Sequence, residues 1–160
     1  MNRWGMGAML YRATICYGLL AIVYDAILIE SFCDRLIPER LALAVGGVLL
    51  LLGVAVYSLG IFSVYRAIDA GQLATRGIFA VVRHPLYAAW IWCIVPGLAL
   101  MQGTLLALLT PVVAGVFYWL CIPHEEAWLL SRFGEQYRQY CRSVGGIVPK
   151  LSRGRLPQTG

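Results

Sequence analysis

Charge is scarce in this 160-residue sequence: 13% of residues are Asp, Glu, Lys or Arg, and there is a single lysine. Soluble domains carry about 25% charged and about 45–50% apolar residues, against 60% apolar here. A mean hydropathy of +0.73 excludes a disordered chain and leaves too little polar surface to cover a soluble core. The class that remains is an integral membrane protein. Metal and redox signals are also thin. Five cysteines (Cys16, Cys33, Cys93, Cys121, Cys141) form no C-x-x-C pair, and the two histidines are not clustered. Neither a disulfide framework nor a metal site is expected, and the cysteines read as small packing residues.

Acidic residues number eight against thirteen basic ones, for a net charge of +5. Such a balance suits nucleic acid or the anionic face of a membrane. In so apolar a chain, without a basic surface helix or interleaved aromatics, no nucleic-acid partner is expected and membrane lipids are.

Four apolar stretches stand out, at about 13–32, 41–65, 86–101 and 104–122. The first two are long enough to cross a hydrocarbon core of about 30 Å at about 1.5 Å per residue. The third is shorter and interrupted by Pro96-Gly97, which predicts a kink. Only Gln102-Gly103-Thr104 separates it from the fourth, so the two form a tight antiparallel hairpin. The first stretch lacks a small-x-small cleavage site after its apolar run and is read as a retained helix. Asp25 within it is either a functional group or a residue bonded to a neighbouring helix or to the outer interface. Gly46, Gly53 and Gly60 recur every seven residues with Ala42 one turn earlier, placing small residues on one helix face for close packing. No internal repeat or low-complexity linker precedes the tail at about 150–160, so residues 1–160 read as one membrane domain: an all-α, polytopic bundle of about four transmembrane helices.

Under that topology Arg3, Arg12, Arg66, Arg76, Arg83, Arg132, Arg138, Arg142, Lys150, Arg153 and Arg155 fall on one side, and only Arg35 and Arg40 on the other. The asymmetry places both termini in the cytoplasm, in a cytoplasmic (inner) membrane.

Three polar clusters lie on that side. Arg83-His84-Pro85-Leu86-Tyr87 opens the third stretch. Pro85 suits a first helical turn, so Arg83 and His84 flank a helix N-terminus that favours anions; they either hold a carboxylate or phosphate or mark the headgroup boundary. His124-Glu125-Glu126 follows Pro123 at the end of the fourth stretch. The two carboxylates lie about 100° apart on a helix, so one can line a pocket while the other pairs with an arginine; an acidic turn complementing the helix dipole is the plainer reading. Finally, Leu129, Phe133, Tyr137, Tyr140 and Val144 recur at helical spacing over about 125–144, opposite Arg132, Glu135, Arg138 and Arg142. That pattern predicts a cytoplasmic amphipathic helix lying in the interface or capping the bundle, at some cost from Gly134. Trp90, Trp92, Trp119 and Trp128 suit interface anchoring or a lipophilic pocket.

Taken in order, Gly77 with Phe79, Arg83-His84-Pro85-x-Tyr87, a tight membrane hairpin, Glu125-Glu126, Phe133-Gly134-x-x-Tyr137-x-x-Tyr140 and Pro149 resemble the isoprenylcysteine carboxyl methyltransferase and phospholipid N-methyltransferase superfamily. The resemblance covers about 73–150 and departs at Ala89 and at Ile78-Phe79, where the family commonly has Gly and Pro-Tyr. It implies an S-adenosylmethionine-dependent membrane methyltransferase acting on a lipophilic small molecule or lipid. It also implies cofactor-binding roles for Arg83, His84, Pro85, Tyr87, Glu125 and Glu126, with Arg83 and Glu126 as the catalytic pair. Arg83 and His84 suit the cofactor carboxylate, and one of the glutamates its ribose or ammonium. Two other classes compete: a small four-helix transporter using Asp25, and a non-enzymatic membrane subunit.

Overall fold

The computed structural model describes residues 5–27 and 38–150, and among them it is all-helical apart from turns and one isolated bridge. Four helices follow in order: α1 (Gly5–Ile27), α2 (Glu39–Asp69), α3 (Pro85–Gln102) and α4 (Leu105–Ser143), with a 3₁₀ turn at Gly77–Ala80. Three of them, α2, α3 and α4, are long and apolar enough to cross a membrane; the apolar part of α1, Leu10–Tyr24, is shorter. The outward surface is apolar, with Leu51 and Trp119 each 73% exposed, as lipid-facing positions require. Asp25 lies in α1, but its side chain, like Arg3, Glu30, Cys33, Arg35, Arg153 and Arg155, falls outside the described residues.

The chain order α1 to α4 is not the packing order. α1 packs on α4, α4 on α3, and α3 on α2. The glycine stripe of α2 makes the last contact close. A Cβ on Gly46 would stand 2.6 Å from the Gly97 carbonyl oxygen, and one on Gly53 would stand 2.7 Å from Ile94 Cγ1. Neighbouring Gly47 faces open space, so helix phase alone decides which glycine is required.

The α3–α4 hairpin turns where its residues dictate. Gly103 takes the left-handed conformation (φ 72°) that closes a helix, and its N–H bonds Ala99 O at 3.0 Å. Thr104 then caps α4, its hydroxyl accepting from Ala107 N at 3.2 Å. The irregularity in α3 is a widened π-turn at Trp90–Ile94, with Val95 N–H reaching back to Trp90 O. It falls one turn before Pro96, whose ring and missing N–H an unbroken helix would have to accommodate.

The second irregularity corrects the sequence boundaries. Pro123 does not end a helix; α4 runs through it and breaks at Gly134 instead (φ 52°, ψ −124°). The predicted helix over 125–144 is therefore two arms, before and after Gly134. No Cβ clash forbids a side chain there; the backbone conformation does. Residues 105–122 carry no charged side chain, and the charged residues of α4 all lie beyond Pro123, so the arms stand past the apolar span. In a straight helix Glu126 and Cys141 would be about 22 Å apart. Here one guanidinium, that of Arg83, reaches both, so the second arm folds back on the first. The apolar stripe ends up inside the fold, as a cluster of Tyr137, Tyr140 and Val144 with Leu129, Leu130 and Phe133 against it.

Candidate active site

The polar clusters that are separate in sequence meet at one end of the bundle. Pro85 occupies the first turn of α3, with His84 at the N-cap, and this fixes the direction in which Arg83 and His84 project. Their backbone is held by the segment after α4: Arg83 N–H donates to Gly145 O at 2.7 Å and His84 N–H to Gly146 O at 3.0 Å, beside a parallel bridge between Val82 and Gly145. Gly145 is required by the tight turn of the segment itself, and Gly146 by its contact with the Tyr118 side chain. A Cβ on Gly145 would lie 1.9 Å from Val148 O, and one on Gly146 would lie 2.9 Å from Tyr118 Oη.

Arg83 is the hub. One nitrogen, Nη2, donates to Glu126 Oε1 at 2.5 Å; the other, Nη1, donates to Val144 O at 2.7 Å and Cys141 O at 3.3 Å. It thereby satisfies carbonyls left open at the C-terminus of the folded arm and ties that arm to Glu126. Lys150 Nζ donates to Cys141 O and Arg142 O at the same end. With side chains 13% and 32% exposed, Arg83 is the buried partner of the pair and Glu126 the accessible one. Burial opposes the guanidinium's charge, but the hydrogen bond and charge of Glu126 outweigh it and raise its pKa. Reciprocally, the hydrogen bond from His84 outweighs burial and, with Arg83, lowers the Glu126 carboxyl to about 2.

The imidazole of His84, buried at 5% exposure, lies between the two carboxylates: Nε2 is 3.2 Å from Glu126 Oε1 and Nδ1 is 3.9 Å from Glu125 Oε1. Glu125 has its own partner, for Tyr87 Oη donates to Glu125 Oε2 at 2.5 Å. The 100° separation of the glutamates thus gives each a different main partner, with His84 between them. The Tyr87 ring is packed against His84, Tyr118 and Tyr11.

Glu126 also opens onto a cleft of about 520 Å³ between the two arms of α4, lined by Pro123, Ala127, Leu130, Tyr137, Arg138, Cys141 and Arg142 as well. The cleft is open to solvent along much of its extent, so a soluble molecule can reach Glu126 there. Tyr137 Oη and Arg83 Nε are buried without a hydrogen-bond partner, so polar capacity remains unspent at the site. His124, by contrast, is exposed and joins none of these contacts.

All six residues singled out in the sequence (Arg83, His84, Pro85, Tyr87, Glu125 and Glu126) therefore fall in one locus. The sequence places Tyr137, Arg138 and Arg142 on the amphipathic helix without singling them out as site residues, and it does not single out the Gly145-Gly146 strap. The paired glycines just past the amphipathic pattern were the available signal for the strap. Among the described residues, no group of three or more His, Cys, Asp or Glu is placed to hold a metal.

The family model described as phospholipid methyltransferase matches residues 41–136, which hold every one of those six side chains. The chain belongs to the phospholipid methyltransferase family. Individual relatives match over part of their length. A protein-S-isoprenylcysteine O-methyltransferase of Schizosaccharomyces pombe is 39% identical over 81 residues, covering 49% of this chain and 34% of that protein. A protein-S-isoprenylcysteine O-methyltransferase B of Arabidopsis thaliana is 32% identical over 78 residues, covering 49% and 40%. A methanethiol S-methyltransferase of Pseudomonas deceptionensis is 30% identical over 101 residues, covering 58% and 37%. The matched region thus spans little more than a third of these relatives' length, and α1 lies outside the phospholipid methyltransferase match.

Proposed function

We propose that the chain is an S-adenosylmethionine-dependent methyltransferase that modifies a lipophilic substrate at the cytoplasmic face of the membrane. The observation that carries this reading is the convergence of Arg83-His84, Tyr87 and Glu125-Glu126 beside a cleft at the polar end of an apolar bundle, in a chain of this family. The asymmetry of basic residues supports a cytoplasmic position for that end and for both termini.

The donor set fits the cofactor. Glu126 is accessible and held ionised, so it can accept from an ammonium or a ribose diol. Arg138 and Arg142 on the cleft wall suit its carboxylate. Arg83 has both terminal nitrogens engaged, so its role is to fix Glu126 and the folded arm. His84, Tyr87 and Glu125 form the side of the site towards the bundle, and Pro85 sets their direction. When bound, the cofactor supplies an electrophilic methyl group on a sulfonium, which passes to a nucleophile of the substrate by in-line displacement. The protein's contribution is alignment of the two reactants, with the folded arm forming one wall of the cleft.

The experiment is incubation of the purified protein with methyl-labelled S-adenosylmethionine and a total membrane extract, followed by identification of the labelled product. A labelled hydrophobic product that Glu126→Gln abolishes supports the reading. Label appearing in no product, with the protein folded, overturns it.

A further inference from the structure

Tyr87 reaches Glu125 by one hydrogen bond, and a phenol hydroxyl is only as well placed as its ring. Two of the three rings around it belong to the site's own neighbourhood: Tyr118 at 5.7 Å and 62°, and His84 at 5.9 Å and 43°. The third is Tyr11 of α1, which stacks on Tyr87 at 6.0 Å with the planes 25° apart. Tyr11 is itself wedged edge-to-face, at 5.0 Å from Trp90 of α3 and 6.2 Å from Tyr57 of α2. Beside it, fully buried Leu10 joins the core formed by Tyr87, Ile91, Ala114, Tyr118 and Ile122. One ring from α1 thus bridges α2 and α3 and covers the face of the residue that holds Glu125.

We propose that Tyr11 is a positioning residue of the active site: its ring fixes the plane of Tyr87, and through it the carboxylate of Glu125. The inference rests on the proposed methyltransferase reading and extends the working site to a helix outside the family-matched residues 41–136. Tyr11 touches neither glutamate in this scheme. What it supplies to Tyr87 is a flat aromatic face, which Phe keeps and Leu loses; its hydroxyl, which interacts with Tyr57 and with the charge of Glu125, is a separate contribution.

The test separates this role from helix packing in general and does not depend on catalysis. The protein is labelled with carboxyl-¹³C glutamate in detergent, where Glu125 is one of only five glutamates and its resonance is assigned by its loss in Glu125→Gln. Tyr87→Phe moves that resonance by removing the hydrogen bond. Tyr11→Leu is expected to move it in the same direction and clearly further than Tyr11→Phe, which keeps the ring and loses only the hydroxyl. In S-adenosylmethionine affinity, Tyr11→Leu is expected to lose about threefold to tenfold, and the Tyr11→Leu/Tyr87→Phe double variant no more than Tyr87→Phe alone. A Glu125 resonance unmoved by Tyr11→Leu but moved by Tyr87→Phe overturns the inference, as do losses that multiply in the double variant. Wild-type protein that binds no S-adenosylmethionine overturns the methyltransferase reading instead, and the resonance then decides the role of Tyr11 alone.

Discussion

Arg83 and Glu126, 43 residues apart, share a hydrogen bond of 2.5 Å, and the same guanidinium holds the Cys141 and Val144 carbonyls of the folded-back arm. One side chain therefore orients the accessible carboxylate and ties the second arm, which walls the cleft, to the first. Removing it leaves the Val144 carbonyl without its side-chain donor, Cys141 O with Lys150 alone and the Glu126 carboxylate with His84 alone, at an expected cost of about 2–3 kcal/mol. Arg83→Lys is expected to recover little, because a single ammonium cannot span three acceptors set by a planar fork. Thermal unfolding of both variants in detergent checks this; Arg83→Lys unfolding at the wild-type temperature contradicts it.

The Glu126 carboxyl, lowered to about 2 by His84 and Arg83, predicts a pH signature. A depressed folded-state pKa gives stability that is complete above the unfolded value, about 4.3 for Glu, and lost as pH falls through the folded one. The contribution of this pair is therefore flat from pH 8 to about 5 and declines only towards pH 2. Unfolding midpoints followed from pH 7 to 3 are expected to lose this component in Glu126→Gln. A Glu126-dependent loss of stability centred near pH 6 is the opposite result.

Gly134 tests the folded arm. Its φ of 52° and ψ of −124° with no neighbour near a Cβ make the cost of Gly134→Ala purely conformational, about 1–3 kcal/mol. Since the arm walls the cleft, ligand affinity is expected to fall with stability. A variant as stable as wild type, with an unbroken helix through 134, contradicts the geometry.

Adjacent glycines on α2 offer a paired control. Gly46→Ala drives a methyl to 2.6 Å from the Gly97 carbonyl, whereas Gly47→Ala meets nothing within 4 Å. The first is expected to destabilise by about 1–3 kcal/mol and the second to stabilise by about 0.5–1 kcal/mol. Unfolding temperatures of the two variants decide it; equal effects rule out close packing of α2 on α3.

What the sequence disclosed follows from the range of the interactions involved. The glycine heptad, the Gly103-Thr104 turn and Pro85 at a helix start are local signals, and each has the expected structure. The polar clusters were also legible, because charged residues next to apolar runs are costly and few. The break at Gly134 was not. The apolar stripe Leu129, Phe133, Tyr137, Tyr140 and Val144 keeps helical spacing on both sides of it, so periodicity predicts one straight helix. Tertiary contacts hold the arms together: those of Arg83, made from 43 to 61 residues away, the bond from Tyr140 Oη to Phe79 O, and the apolar cluster between the arms. The strap was half legible: the paired glycines 145 and 146 signal an unusual backbone, but their bonds to residues 83 and 84 are long-range, and no local pattern names those partners.

The central claim, that Glu126 held by Arg83 and His84 forms the polar part of a cofactor site, is tested most directly by titration calorimetry of S-adenosylmethionine into the detergent-purified protein and its Glu126→Gln variant. The wild type is expected to bind, and the variant to bind with an affinity about tenfold to a hundredfold lower. Equal affinity of the two folded proteins, or no binding by either, contradicts it.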